Sequence, residues 1–126
     1  MFAYGTTGSG KTHTMIGSTE QPGISVLTIN DMFSEIASDP DNHYEIKVSY
    51  VEIYNEVIRD LLTSNFKDSV LDLWDDPIKG VKLAGVTEYT VEDTSQVMKL
   101  LMSGNKWRTT EATNANQTSS WSHAIL

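Results

Sequence analysis

An α/β fold, a partial mixed central sheet flanked by helices, is the class this sequence predicts, and three observations predict it. The stretch "MFAYGTTGSGKTHTM" opens the chain with a short apolar run, a glycine-rich turn and a lysine–threonine pair. Apolar residues then recur at three-and-four spacing from Val26 to Ile36, and the period changes to two from Tyr44 to Tyr50. Helical and strand periods that alternate over 126 residues, a length that supports one domain with a modest core, form the pattern of a sheet covered by helices.

The first element is the end of a strand over residues 1–4, apolar throughout as a buried strand requires. Gly5, Gly10, Lys11 and Thr12 then complete the GxxxxGK[ST] pattern of a phosphate-binding loop, with Thr6, Thr7, Gly8 and Ser9 between them. Gly5, Gly8 and Gly10 let the backbone curl so that successive N–H groups face inward, where side chains would obstruct an anion. A helix beginning near Gly10 adds its N-terminal N–H groups. Lys11 supplies a point charge for outer phosphates and Thr12 a hydroxyl for Mg²⁺. A glycine-rich turn without ligand is the bland alternative, and the agreement of spacing, strand context and Lys-Thr pair weighs against it.

The remaining elements follow in order. One helical turn carries residues 12–15 before "GSTEQPG" breaks it with two glycines and Pro22. Val26, Ile29, Phe33 and Ile36 define a second helix with one buried stripe, ending near Asp39 and Pro40. Tyr44, Ile46, Val48 and Tyr50 alternate with polar residues and predict a strand, and the shift of the apolar set at Val51 and Ile53 calls for a bulge or burial on both faces. Residues 71–74, 81–84 and 86–91 are strand-like pieces of a small antiparallel excursion. Asp93 or Thr94 caps a third helix that carries Val97, Leu100 and Leu101 on one face and weakens at Gly104 and Asn105. A polar loop over residues 109–122 leads into a last strand at residues 123–126.

Composition excludes several function classes. With 39% hydrophobic and 21% charged residues the chain reads as globular, and no window offers the ~20 apolar residues of a membrane span. The formal net charge of −8 argues against nucleic acid as a partner. Absence of cysteine removes disulfides and cysteine-held zinc and suits a reducing, cytoplasmic address. Asp39 with Asp41, and Asp72 with Asp75 and Asp76, read as solvated loops, because no calcium-loop glycine and no histidine accompanies either cluster at ligand spacing.

The segments "FAYGTTGSGKTHTM", "VSYVEIYNEVIRDLL", "KGVKLAGVTEY" and "GNKWRTTEATNANQTSSWSHAIL" together resemble the motor head of the kinesin superfamily, in order and spacing, over essentially the whole of residues 1–126. Within it, "TNANQTSS" and "IYNEVIRDLL" are most similar to the eighth kinesin family and its ciliary relatives, several of which shorten microtubule ends. The resemblance implies a phosphate-loop NTPase of kinesin motor-head type, an ATP-driven motor that moves on or depolymerises microtubules, with ATP and Mg²⁺ as cofactors and tubulin as partner. It implies a cytoskeletal address, the cilium among the possible sites, and a homodimer formed through coiled-coil regions not present here. Residues 5–13 would hold the nucleotide, Lys11 on the β- and γ-phosphates, Thr12 on Mg²⁺ and His13 against adenine. In the segment that the family calls switch I, Ser120 would reach Mg²⁺ and the γ-phosphate while Asn116 and Ser119 position the attacking water, a division of labour that suits phosphoryl transfer. Alone, "NQTSS" reads as a polar surface loop or a glycosylation acceptor at Asn116.

Three departures from the family pattern stand out. Thr6 replaces the usual glutamine of the loop, tolerable where backbone N–H groups do the cradling. The resemblance covers the phosphate loop through switch I only, without the earlier strands of a motor head, switch II, the main microtubule-binding helix or the neck linker. Trp121 stands where the family has the arginine that pairs with the switch II glutamate, and Trp74 and Trp107 likewise stand at positions where relatives carry polar or basic residues. Two readings follow: a catalytic motor, or a kinesin-like chain that binds nucleotide or tubulin without productive hydrolysis. An unrelated phosphate-loop enzyme such as a small-molecule kinase has no reason to carry the switch I pattern.

Overall fold

The shift of period after Tyr50 is the point where the chain leaves one sheet for another. A computed structural model describes residues 1–6, 8–18, 20–65, 69–78, 80–112 and 122–126. In it, β1 (Ile46–Val48) pairs antiparallel with β6 (Tyr89–Val91), Ile46 opposite Val91. Two residues later β2 (Val51–Tyr54) enters a five-stranded sheet, whose order is β5 (Gly80–Ala84), β4 (Val70–Asp76), β3 (Val57–Asp60), β2 and β7 (Ser122–Ile125). The sequence offered a bulge or two-sided burial; the structure combines a break at Ser49 and Tyr50 with a central strand whose Val51 and Glu52 are both buried.

β2 turns into β3 (Val57–Asp60) through Asn55 and Glu56, whose φ angles of 48° and 64° are those of a two-residue hairpin turn matched to strand twist. The dipeptide Asn-Glu carries a weaker hairpin signal than Asn-Gly, which is why the turn was not legible. β4 (Val70–Asp76) and β5 (Gly80–Ala84) form the expected antiparallel excursion, with Leu73 opposite Leu83 and Trp74 opposite Lys82. Asp72, Asp75 and Asp76 therefore lie in a strand and not in a loop. The third piece pairs with β1 as β6 instead of extending the hairpin. β7 (Ser122–Ile125) forms the edge beside β2. All ladders among the described residues are antiparallel.

The helices are α1 (Lys11–Met15), α2 (Ile24–Ala37) and α3 (Thr94–Ala112). α3 starts at a cap formed by Asp93, whose Oδ1 accepts from the Gln96 N–H at 2.8 Å, while Gln96 Oε1 accepts in return from the Glu92 N–H at 3.2 Å. Val97 and Leu101 of α3 pack with Tyr50, Leu61, Leu62 and Val91 into the buried core, and Ile29 and Phe33 of α2 close over it. Asp60 ends β3 inside this region, its carboxylate accepting from the N–H groups of Leu62 at 2.8 Å and Thr87 at 2.7 Å. No helix among the described residues is long and apolar enough to cross a membrane.

Two further expectations are corrected. Residues 1–4 form no strand, and Phe2 and Tyr4 are fully exposed, because no described strand lies beside them to complete a ladder. α3 does not weaken at Gly104 and Asn105 but runs on to Ala112. Gly104 is there for packing: a Cβ added to it would stand 2.6 Å from Cδ1 and 3.0 Å from Cε1 of Tyr50. Gly104→Ala is accordingly expected to destabilise the protein. The clash with a buried ring costs about 1–3 kcal/mol, against a gain of about 1 kcal/mol in helix propensity. A lowered urea midpoint with an unchanged slope checks this, and a raised midpoint would refute the packing role.

Candidate functional site: the glycine-rich loop and the buried ion pair

The loop before α1 is shaped by its own lysine. Lys11 Nζ donates to the carbonyl oxygens of Gly5 at 2.9 Å and Thr6 at 2.8 Å, so the side chain folds back and ties the start of the loop to the helix. Ser9 N–H donates to Thr6 O at 3.1 Å and closes the turn. Gly8 and Gly10 hold φ of 82° and 86°, a left-handed conformation that L side chains rarely adopt, and a Cβ at either would meet nothing within 4 Å. The loop thus has open space at Gly8 and Gly10, a close approach of Ser9 at Gly5, where a Cβ would run into the Ser9 hydroxyl oxygen, and an ammonium at its base. An ammonium has three donors, and two are spent on the loop, which leaves one for an anion.

These features fit a polyphosphate held with a divalent cation: N–H groups and a fixed positive charge meet phosphate oxygens, and a hydroxyl suits Mg²⁺. Of the residues that the sequence singled out, Gly5, Thr6, Gly8, Ser9, Gly10 and Lys11 come together in this loop. Thr12 and His13 follow on α1 with exposed side chains. Thr7 lies outside the described residues, as do Asn116, Ser119, Ser120 and Trp121. The structure describes both ends of their segment, α3 before it and β7 after it. The described residues contain no group of three or more His, Cys, Asp or Glu that could hold a metal ion.

A second constellation lies where α3 meets β2 and β7. Glu52, with its side chain 8% exposed, accepts from Arg108 Nε at 3.3 Å and from the Ser122 hydroxyl. Arg108 Nη2 donates to Ser122 Oγ at 3.3 Å. Beside them the Tyr50 hydroxyl donates to Asn105 Oδ1 at 2.9 Å. Burial pushes the Tyr50 phenol above its usual range, with the nearby Arg108 guanidinium opposing and the Glu52 carboxylate adding to the shift. Glu52, Arg108 and Ser122 belong to none of the motifs legible in the sequence as site residues. A signal was available: Glu52 interrupts an apolar strand run, and a carboxylate buried there needs a cationic partner.

Two outcomes are expected. Replacing Lys11 by alanine removes the loop's charge and both of its ties, and should weaken Mg-ATP binding at least ~10-fold, the scale of a charge-assisted contact. His13→Ala, which leaves the loop's charge and both of its ties in place, should do less; calorimetric titration of both variants checks the order. For Tyr50, a raised folded pKa means that the unfolded chain releases the proton first. Stability from this group is complete at neutral pH and is lost as pH rises above ~10. Tyr50→Phe should abolish that alkaline decline while costing ~1 kcal/mol at neutral pH for the lost bond to Asn105, read from denaturation midpoints across pH.

Comparison with known proteins agrees with this architecture. The family model for the kinesin motor domain matches residues 1–126. Kinesin-like protein KIF19 of Homo sapiens is 50% identical over 127 residues, covering 100% of this chain and 12% of that protein. Kinesin-like protein KIN-8A of Oryza sativa subsp. japonica is 48% identical, covering 100% of this chain and 16% of the relative. Among solved structures, that of a fast kinesin superposes with a TM-score of 0.88 at 37% identity, over 98% of this chain and 36% of the other. KIF14 bound to a microtubule with AMP-PNP gives 0.80 at 38% identity, over 96% and 35%. The chain spans about a third of those motor structures and less than a fifth of the curated relatives' length. It belongs to the kinesin motor domain family, with KIF19 and the kinesin-8 proteins among its relatives, and its fold is the phosphate-loop α/β fold of the kinesin motor head.

Proposed function

We propose that this chain is the ATP-binding segment of a microtubule motor, coupling Mg-ATP hydrolysis to movement on microtubules or to their depolymerisation. The observation that carries the proposal is the loop closed by Lys11 onto Gly5 and Thr6, open at Gly8 and Gly10, within a kinesin motor fold. Lys11 and the loop N–H groups would bind the phosphates, Thr12 with Ser120 would hold Mg²⁺, and Asn116 and Ser119 would orient water. Bound Mg²⁺ would neutralise charge that develops on the phosphoryl oxygens. Binding of a microtubule by KIF14 supports tubulin as partner, and kinship with KIF19 and the kinesin-8 proteins supports a cytoskeletal role.

Trp121 supports a second reading, in which the protein binds nucleotide without productive turnover. Indole offers one N–H and no charge, so it cannot pair with a carboxylate as a guanidinium does. Breaking such a buried pair costs about 3–5 kcal/mol, which would slow hydrolysis by orders of magnitude and leave the phosphate loop intact. The test uses the full-length protein. Trp121→Arg should raise microtubule-stimulated ATPase activity at least ~10-fold while changing Mg-ATP affinity little. A parent that already turns over as fast as the variant favours the motor and refutes the role given to Trp121. A parent without Lys11-dependent Mg-ATP binding refutes both readings.

A further inference from the structure

We infer that Arg108 is a positioning residue, which fixes both ends of the segment that carries Asn116, Ser119 and Ser120 by clamping the last turns of α3 and the first residue of β7 to buried Glu52. The inference rests on the nucleotide-site reading given above and adds residues that this reading does not use.

Three observations carry it. First, a single stripe of α3 runs Val97, Leu101, Gly104, Arg108 at four-and-three spacing, so the face that enters the core reaches Glu52 with its last charged member. Second, Ser122 opens β7 opposite Tyr54, on the same face of the sheet as Glu52 and diagonal to it, which is why its hydroxyl reaches the same carboxylate oxygen that Arg108 holds. Third, Arg108 Nη2 also donates to Ser122 Oγ, so helix end and strand start are joined directly as well as through Glu52. Residues 108 and 122 thereby bracket the segment, and their separation is set by one three-membered contact anchored on a central strand.

The chemistry of the clamp argues for positioning over simple stabilisation. A buried ion pair contributes little net stability compared with apolar residues of similar size, because desolvation cancels much of the attraction. What it supplies is direction. The forked guanidinium accepts only arrangements in which Nε and Nη2 meet their partners together, whereas an apolar contact tolerates sliding. A group that must place water or a metal ligand to within a fraction of an ångström benefits from such a fixed base.

The experiment uses the full-length protein and compares Arg108→Lys, Arg108→Met and the paired apolar replacement Glu52→Leu with Arg108→Met, which retains packing if the single change unfolds. The paired variant should keep its thermal midpoint and its Mg-ATP affinity within about twofold of the parent. It should lose about 10-fold or more in kcat, because the interaction acts on the transition state and not on ground-state binding. Amide exchange at residues 108–112 and 122–125 should quicken about 10-fold, with β3 unchanged. Arg108→Lys, which keeps charge but not the fork, should recover only part of kcat. Unchanged kcat, unchanged exchange, or a fall in affinity that parallels the fall in kcat would overturn the inference. Failure of the nucleotide-site reading shows differently, as a parent without Lys11-dependent Mg-ATP binding, and takes the catalytic half of the inference with it.

Discussion

At Gly104 the backbone of α3 comes so close to the ring of Tyr50 that a single added carbon would stand 2.6 Å from it. That approach sets how deeply the helix sits on the strands. It brings Val97 and Leu101 into the core on one side of the contact and carries Arg108 to Glu52 on the other. Tyr50 itself stands between β1 and β2, at the residue pair where the chain passes from the two-stranded sheet to the five-stranded one. One close contact therefore links the hydrophobic core, the change of sheet and the polar clamp.

The molecule has two polar centres of different character. The phosphate loop is exposed and made of backbone, with a lysine that serves as structural tie while leaving a donor toward a ligand. The clamp is largely buried and made of side chains, with one oxygen of its carboxylate held by both a guanidinium and a hydroxyl. An exposed ring of N–H groups can accept and release an anion without desolvating a fixed charge, whereas a buried pair resists rearrangement. Binding is the role proposed for the first centre, and geometric constancy the role proposed for the second.

Family membership and the local chemistry of the loop reinforce one another without being the same argument. Many unrelated proteins carry GxxxxGK[ST], and the loop alone points to a phosphate. The family model over residues 1–126 and the superposition on a fast kinesin are what set that loop in the fold of a motor head. Trp121 remains the residue by which this chain departs most from the chemistry that the family resemblance implies.

What the sequence determined by itself is local. The glycine-rich loop before α1 was legible because glycine, lysine and threonine at fixed spacing have few other uses. α2 and the start of α3 were legible from a repeating apolar stripe and from Asp93, an acidic cap whose bonding partner lies three residues away. Residues distant in sequence decided the rest. Whether residues 44–54 form one strand or two depends on partners at residues 89–91, 57–60 and 122–125, which no window around Tyr50 contains. Gly104 looks like a helix stop until Tyr50 is set against it, and Glu52 looks like a misplaced charge until Arg108 and Ser122 arrive from residues far along the chain. Propensity and spacing act over a few residues, while the cost of a buried charge or a close backbone contact is settled only when the fold brings its partner to it.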